Sequence, residues 1–479
     1  MKSAIFKKVE CAAFALLSCL TLLKFLDCFN NWNSARLART FAPLYGYSLY
    51  YGPDSGPRIG TLYGPIGSLA YLPAAIFRHP VPALLTAEFI AILFFFGPVA
   101  WIFARRGTLI GFLVFCLFAF YSPPLKAAAF YIHVDAPALG LAALSAAVLV
   151  LRNRPNTTAS LALSALLGAL AFWSKQSVLP AFLALAGWLL IVEGPRAALA
   201  FTGWLAVSFT VLLLAFSFLY DLGDMYFNLV TVIAHTPFGS YADISRAFHE
   251  LIQYSLLPAF LLVFCVFYRR SQAWSGGRLK DWLKDNPWSV FALIGLLNVP
   301  TSLLGRMIMG GADNNYAYAV YFLAIAVILG LGRLASKERP AHVLLVSLAV
   351  TLLIVLMPQL ISIPRKLARL GHVPALKAYD YAKRHPGDTY FPWNTLSMLL
   401  AEGKLYHYEW GMEEREQAGY PMTRESFLAF TPKNFRRIAV KSDTEGVLAP
   451  APLALRFFPD FKMRVSGPDG ELPGWQIYE

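Results

Sequence analysis

The residues of this chain that can do chemistry are few, and nearly all stand at the edge of a long apolar run. Asp27 closes the first run and is followed by Asn30, Asn31, Trp32, Asn33 and Arg36. Asp54 and Arg58 lie further on, in a stretch rich in Gly, Pro and Tyr. The string KAAAFYIHVDAP brings Lys126, His133 and Asp135 to the threshold of another run. Lys175 stands between two runs in FWSKQS, and a late polar turn gathers Arg306, Gly310, Gly311, Asp313, Asn314, Asn315 and Tyr316. Ionisable residues at a membrane boundary are costly unless they face water or a partner, so each is a candidate site residue. A carboxylate can deprotonate an acceptor hydroxyl. Lys and Arg can hold a phosphate and offset its charge as it leaves. Together the set suits transfer of a group from a lipid phosphate.

Each residue also has a plainer reading. Asp27 can be a solvated acid ending a helix. Asp135 can be an N-cap, since Pro137 sits just inside the helix start. His133 reads as a hydrogen-bonded interfacial residue rather than a metal ligand, and Lys175 as a lysine whose stem snorkels to water. Gly310 and Gly311 can make a tight loop. Tyr45, Tyr47, Tyr50, Tyr51 and Tyr63 can stack on a sugar or anchor at an interface.

The elements that position these residues are membrane helices. Only 14% of the 479 residues are charged and the mean hydropathy is +0.53; a soluble domain carries about 25% charged residues. A crossing helix needs about 20 mostly apolar residues. That length predicts eleven spans, near 9–27, 82–104, 107–122, 134–151, 158–174, 177–193, 198–220, 252–268, 287–304, 316–332 and 341–362. The stretch from Thr158 to Val192 would overshoot a bilayer, so it divides at Ser174-Lys175-Gln176. The first run, with Lys24 near its outer end, reads as a retained signal anchor, because no small-residue cleavage site closes it.

With a cytoplasmic N-terminus, every inside loop carries Lys or Arg: Lys2, Lys7 and Lys8; Arg105 and Arg106; Arg152 and Arg154; Arg196; Arg269, Arg270, Arg278, Lys280 and Lys284; Arg333, Lys337 and Arg339. The longer outside loops are sparser, as the positive-inside rule requires. The net charge of +13 is therefore a matter of topology, and no basic stripe with interleaved aromatics points to nucleic acid. The sequon at Asn156 falls on the inside. Outside lie a first loop, 27–80, in which Pro65 to Phe77 reads as a helix along the membrane; a second loop from Asp221 to Glu250; and a soluble tail, 363–479. In the tail, Ala375–Arg384 and Asn394–Glu402 read as helices and Asp388–Pro392 and Arg436–Lys441 as strands, a small α/β or α+β domain. The five Cys lie in or beside apolar runs without metal spacing and read as small apolar residues. No Walker motif, GxSxG, HExxH or paired CxxC is present.

The order of these features resembles the GT-C superfamily, multi-spanning glycosyltransferases that use polyprenyl-phosphate-linked sugars. The resemblance rests on Asp27 after the first span, NSARLART and YGPIGSLAYLP in the first loop, HVDAPALGLAAL with Asp135, FWSKQS with Lys175, and GGADNNYAYAVYFLAIA. It covers residues 1 to about 362, the transmembrane domain. Many members carry an Asp-Glu pair after the first span, whereas Cys28 follows Asp27 here. The resemblance implies a single displacement, inverting at the sugar carbon, on the extracytoplasmic face; the short loops and lack of eukaryotic features point to a bacterial inner membrane. Asp27 would be the general base, and Asp135 would position the acceptor or orient the base. Lys126, Lys175, Arg36 and Arg306 would be candidates for the donor phosphate, with Asp54, Arg58, His133, Asp313 and Asn315 binding substrate. A divalent cation is a possible cofactor; the partners would be the lipid-linked donor and a glycan, lipid or protein acceptor. The main rival is a transporter or flippase, which would show repeats or mid-helix charges. A polymerase or ligase would rest on a long outer loop rich in Arg and His, but 221–250 holds only Arg246, His235 and His249.

Overall fold

A computed structural model describes residues 2–151, 157–273, 279–335, 339–368, 373–441, 449–467 and 470–479. Arg152, Arg154, Asn156, Arg278 and Lys337 lie outside the described residues. The chain is mostly helical. The first helix, α1 (Lys2–Asp27), leads into the loop helix α2 (Asn31–Phe41), the short α3 (Pro65–Leu69) and the long α4 (Pro80–Arg106). Then come α5 (Leu109–Tyr121), α6 (Pro123–Phe130), α7 (Asp135–Val150), α8 (Thr158–Phe172), α9 (Leu179–Val192) and α10 (Pro195–Ser217). After α11 (Leu222–Tyr226) and α12 (Val232–His235) run α13 (Tyr241–Ala273), α14 (Leu279–Asp285), α15 (Trp288–Leu297), α16 (Val299–Met307), α17 (Ala317–Ala335), α18 (Arg339–Leu356) and α19 (Ile363–Ala368). The tail adds α20 (Pro374–Arg384), α21 (Thr395–Glu402), α22 (Glu409–Gln417) and α23 (Arg424–Ala429).

Seven helical stretches are long and apolar enough to cross a membrane, and the fold is that of a helical integral membrane protein. The remaining positions expected to span hold three shorter apolar helices, α7, α8 and α9 with its preceding turn, and the pair α5–α6. That pair bends by 97°, because Pro123 and Pro124 lack the N–H groups that would continue the α5 ladder. α17 is buried along almost its whole length and forms the centre of the bundle. α10 and α13 instead expose Leu199, Val211, Leu214, Ile252, Leu256 and Phe260, the belt a helix presents to lipid. One expectation is corrected. The helix expected over Pro65–Phe77 is two pieces, α3 and a 3₁₀ turn over Leu72–Ile76. The segment expected outside, 221–250, is largely helical, and α13 begins at Tyr241, ahead of the span start expected near 252. The span expected over 287–304 is one of the seven, Trp288–Met307, carried by α15 and α16 with a turn at Asn298, whose amide donates back to Ile294 O at 2.8 Å.

The ends of the bundle differ. At one end the basic loops meet: Arg106 donates to Leu151 O (3.0 Å) and Arg333 to Asp285 O, around a cavity of about 330 Å³ shared with Arg105 and Trp288. At the other end lie Asp27, Asp135, Lys175, the first loop and the C-terminal tail.

The tail is welded to that end. It holds a four-stranded mixed sheet of β1 (Thr389–Tyr390), β2 (Arg437–Val440), β3 (Met463–Val465) and β4 (Gln476–Tyr478) in the order β1-β2-β4-β3. β1 and β2 are parallel, and β4 is antiparallel to β2 and β3. Tyr390, Phe391, Met398 and Trp475 form its own core, while Val373, Ala375, Leu396 and Leu399 belong to the core of the bundle. Arg58 is buried and donates to Tyr420 O (2.7 Å) and Pro421 O (3.3 Å). Arg415 reaches back to Gly52 O (2.7 Å), Tyr51 O (2.8 Å) and Asn228 Oδ1 (2.9 Å). Gly411 lets α22 press on the first loop: a Cβ there would lie 2.5 Å from Arg58 O and from Gly60 N. Gly411→Ala therefore separates the tail from the loop, and limited proteolysis will show faster release of the tail than in the parent.

His407 sits in the same seam, accepting Arg58 N–H on Nδ1 at 2.9 Å and facing Ser426 O through Nε2 at 3.2 Å. Burial pushes its imidazole down to about 3, against an ordinary value of 6.5, and Arg58 and Arg415 add to the effect. A depressed value means the unfolded chain binds the proton more readily. The contribution to stability is complete above the ordinary value and is lost as pH falls from there towards the folded one. Melting temperature will fall below about pH 6.5, and less steeply in His407→Asn; a pH-independent difference between the two would contradict this role.

Candidate functional site

At the site end, the Asp135 carboxylate is completely buried and uses all four of its acceptor positions. Oδ1 accepts from Lys175 Nζ and from Tyr318 OH, both at 2.8 Å. Oδ2 accepts from His133 Nδ1 and from Asn314 Nδ2, both at 2.6 Å. Asp135 is the first residue of α7, His133 lies in the turn before it, and Lys175 comes from the break between α8 and α9. Asn314 lies in a 3₁₀ turn before α17, and Tyr318 in the first turn of α17. The ammonium of Lys175 is equally committed. Besides Asp135 it reaches Asn315 Oδ1 at 3.3 Å and lies over the rings of Tyr63 (5.3 Å) and Tyr318 (4.9 Å). Tyr63 is positioned by close packing: Ile66 N–H donates to Trp173 O at 3.1 Å, and a Cβ on Gly64 would lie 2.1 Å from that same oxygen.

Asp27 forms a second cluster. Its Oδ2 meets Lys24 Nζ at 3.1 Å and Lys366 Nζ at 2.5 Å, and the side chain is 34% exposed. Lys126, half-buried on α6, shares the electrostatic field of Lys24, Asp27 and Lys366 without a carboxylate partner of its own among the described residues. The two clusters adjoin through Asn33. Its Nδ2 donates to Cys28 O and its Oδ1 accepts from Ile132 N–H, both at 3.0 Å. Among the described residues, no hydrogen bond or ion pair joins Asp27 directly to Asp135.

The structure thus gathers Asp135, His133, Lys175 and Asn315 in one network and Asp27 with Lys126 in its neighbour. Arg36 lies beside the Asp135 network, over the ring of Trp32 at 5.1 Å, with its charge felt at His133 and Lys175. Arg306 is not free for a phosphate: it grips Glu250 at 2.7 and 3.1 Å and Gly311 O at 3.2 Å. Asp313 turns to Tyr254 OH at 3.1 Å. Asp54 and Arg58 belong to the seam with the tail, where Asp54 accepts from Ser426 Oγ at 3.2 Å. Of the five tyrosines, Tyr63 reaches the Asp135 network; Tyr50 donates instead to Tyr63 O at 2.7 Å. Among the described residues, no three His, Cys, Asp or Glu side chains come together as a metal site. The near neighbours of Asp27 are ammonium groups, which compete with a divalent cation.

Lys366 and Tyr318 escaped the sequence reading, as did Glu88, Arg39, Glu414 and Arg415. Glu88 on α4 is completely buried, with neither carboxyl oxygen hydrogen-bonded and Lys24 and Asp27 as its charged neighbours. As the lone acid inside an apolar span it carried a legible signal. Arg39, Glu414 and Arg415 gave none, because only the docking of the tail makes them interior. Comparison with family models, curated proteins and solved structures finds no match to this chain, so the chemistry of the site rests on its own residues.

Removing one member of a buried ion pair strands the other charge at a cost of about 3–5 kcal/mol. Lys175→Met will therefore destabilise the protein strongly in thermal melts, and Asp135→Asn combined with Lys175→Met will recover much of the loss. Equal, additive losses would show that the pair is not the hub of this end.

Proposed function

We propose that the chain is a membrane glycosyltransferase of the GT-C type. It moves a sugar from a polyprenyl-phosphate donor to an acceptor hydroxyl, with inversion, on the extracytoplasmic face of a bacterial inner membrane. In this reading the N-terminus is cytoplasmic, the chain crosses eleven times, and the tail lies outside with the polar clusters. The gathering of basic loops at the opposite end supports that orientation.

The observation that carries the reading is the carboxylate of Asp27, partly exposed, paired with Lys24 and Lys366 and within the electrostatic reach of Lys126. The lysines hold the donor phosphate beside the acid. Asp27 takes the proton of the acceptor hydroxyl, the oxygen bonds to the anomeric carbon, and the bond from that carbon to the phosphate oxygen breaks. The electron pair leaves on polyprenyl phosphate, whose charge the lysines offset. Asp135, with every acceptor position filled, holds the frame around the reaction and is not its base.

Transfer of label from a radiolabelled polyprenyl-phosphate sugar in proteoliposomes tests this. Asp27→Asn will lower the rate at least about 100-fold, the range of a positioned general base. Lys126→Ala will raise the donor KM by about tenfold, as loss of one charge-assisted contact does. Full activity of a stable, correctly inserted Asp27→Asn would remove the base assignment. Glu88, a buried carboxyl inside α4, is the one feature that favours the transporter reading. Label that crosses sealed vesicles chemically unchanged would establish it.

A further inference from the structure

α2 presents two faces. Asn33, Leu37 and Thr40 look into the bundle, where Thr40 Oγ1 donates to Ser68 O at 3.0 Å. Trp32, Arg36 and Arg39, one and two helical turns apart, turn towards the tail. There the Trp32 ring meets Trp393 at 5.2 Å, Trp410 at 5.4 Å and Tyr408 at 6.2 Å, each edge to face. Arg39 is 7% exposed, yet it makes no ion pair among the described residues and its Nε has no hydrogen-bond partner. Opposite, on α22, Glu414 Oε2 is shut off from solvent and unpartnered. The fields of Arg39 and Arg36 reach Glu414, and that of Tyr63 meets all three. Trp32, Arg36, Tyr63, Trp410 and Glu414 nevertheless keep accessible surface between the two domains. Along this seam, which we call the α2–α22 crevice, Arg39 Nε and Glu414 Oε2 have no hydrogen-bond partner among the described residues, and Arg36 stacks on Trp32.

We infer that this crevice between α2 and α22 binds a sugar bearing an oxyanion, a carboxylate or a phosphate, with the indoles of Trp32 and Trp410 against the sugar and Arg36 and Arg39 on the anion. Flat rings suit the apolar faces of a sugar. The guanidinium fork matches a carboxylate or phosphate in a way an ammonium does not. Glu414 is the carboxyl facing the two arginines. The titratable and charged groups facing it are Arg36 and Arg39 from α2, Tyr63 from the first loop and Arg415 from its own helix, with Trp410 beside it. Burial pushes it up to about 7, with Arg39, Arg415, Trp410 and Arg36 acting against the rise. Below that pH it is a neutral hydrogen-bonding partner; above it, it repels a second anion. The inference rests on the transferase reading in one respect, that it gives the acceptor a chemistry; binding itself is measured without transfer.

Full-length protein in nanodiscs is titrated with glucuronate, glucose 6-phosphate, glucose and inorganic phosphate, followed by calorimetry and tryptophan fluorescence. Glucuronate and glucose 6-phosphate will bind at least about tenfold more tightly than glucose or phosphate alone, the scale of one charge-assisted pair. Arg36→Ala and Arg39→Lys, the latter retaining the buried charge, will each cost about tenfold when their melting temperatures match the parent. Between about pH 8 and pH 6 the affinity for glucuronate, whose own charge is constant there, will rise several-fold, and Glu414→Gln will be flat at the tighter value. Equal binding of glucose, equal binding of phosphate, or indifference to both arginine variants overturns the inference. Binding as stated with no transfer from a lipid-linked donor leaves it standing and removes the transferase reading. Transfer without any preference for an anionic sugar does the reverse.

Discussion

The polar end of this protein depends on one carboxylate removed from water. Burying a charge costs several kcal/mol, and it persists where partners fill its hydrogen-bonding capacity. Asp135 meets that condition with four donors from four places in the chain: the turn before α7, the break between α8 and α9, the 3₁₀ turn before α17, and α17 itself. The constraint runs outward. Lys175 is fixed by Asp135 and in turn orients Asn315 and the rings of Tyr63 and Tyr318. Tyr63 is held by the first loop, so the loop cannot shift without disturbing the buried pair.

The first loop is the second constraint. It lies between the bundle and the tail and is hydrogen-bonded to both. Asn33 joins the backbone after Asp27 to the backbone before His133. Arg58 and Arg415 pin residues 51–58 to the tail, and Asn31 donates to Lys441 O at 2.7 Å. The tail therefore completes the polar end, because Glu414 and Trp410 face the same helix whose other side braces the Asp135 network.

Much of this arrangement was legible in the sequence. Apolar run length located the helices, and the break at Lys175 falls where bilayer thickness demanded it, with α8 ending at Phe172 and α9 beginning at Leu179. In the tail, the expected helices and strands over 375–384, 388–392, 394–402 and 436–441 correspond to α20, β1, α21 and β2. Residue type at span ends also found both carboxylates and Lys175. What the sequence does not carry is pairing. Nothing in the spacing says that Arg306 is spent on Glu250, that Arg58 is a clamp, or that Asp135 has no acceptor position left. Those facts arise mostly from contacts between residues far apart in the chain, up to 363 positions. Arg39 and Glu414 are the extreme case: each is ordinary in its own helix and becomes unusual only when α2 and α22 face each other.

In the proposed function, Asp27 with its lysine partners is where the donor's phosphate meets the acceptor. A cryo-EM structure of the protein with a non-hydrolysable polyprenyl-phosphate sugar addresses it directly. The phosphate is expected among Lys24, Lys126 and Lys366, with the anomeric carbon on the side of Asp27. A phosphate bound instead among Arg105, Arg106 and Arg333 at the opposite end, with the Asp27 cluster unchanged, would contradict it.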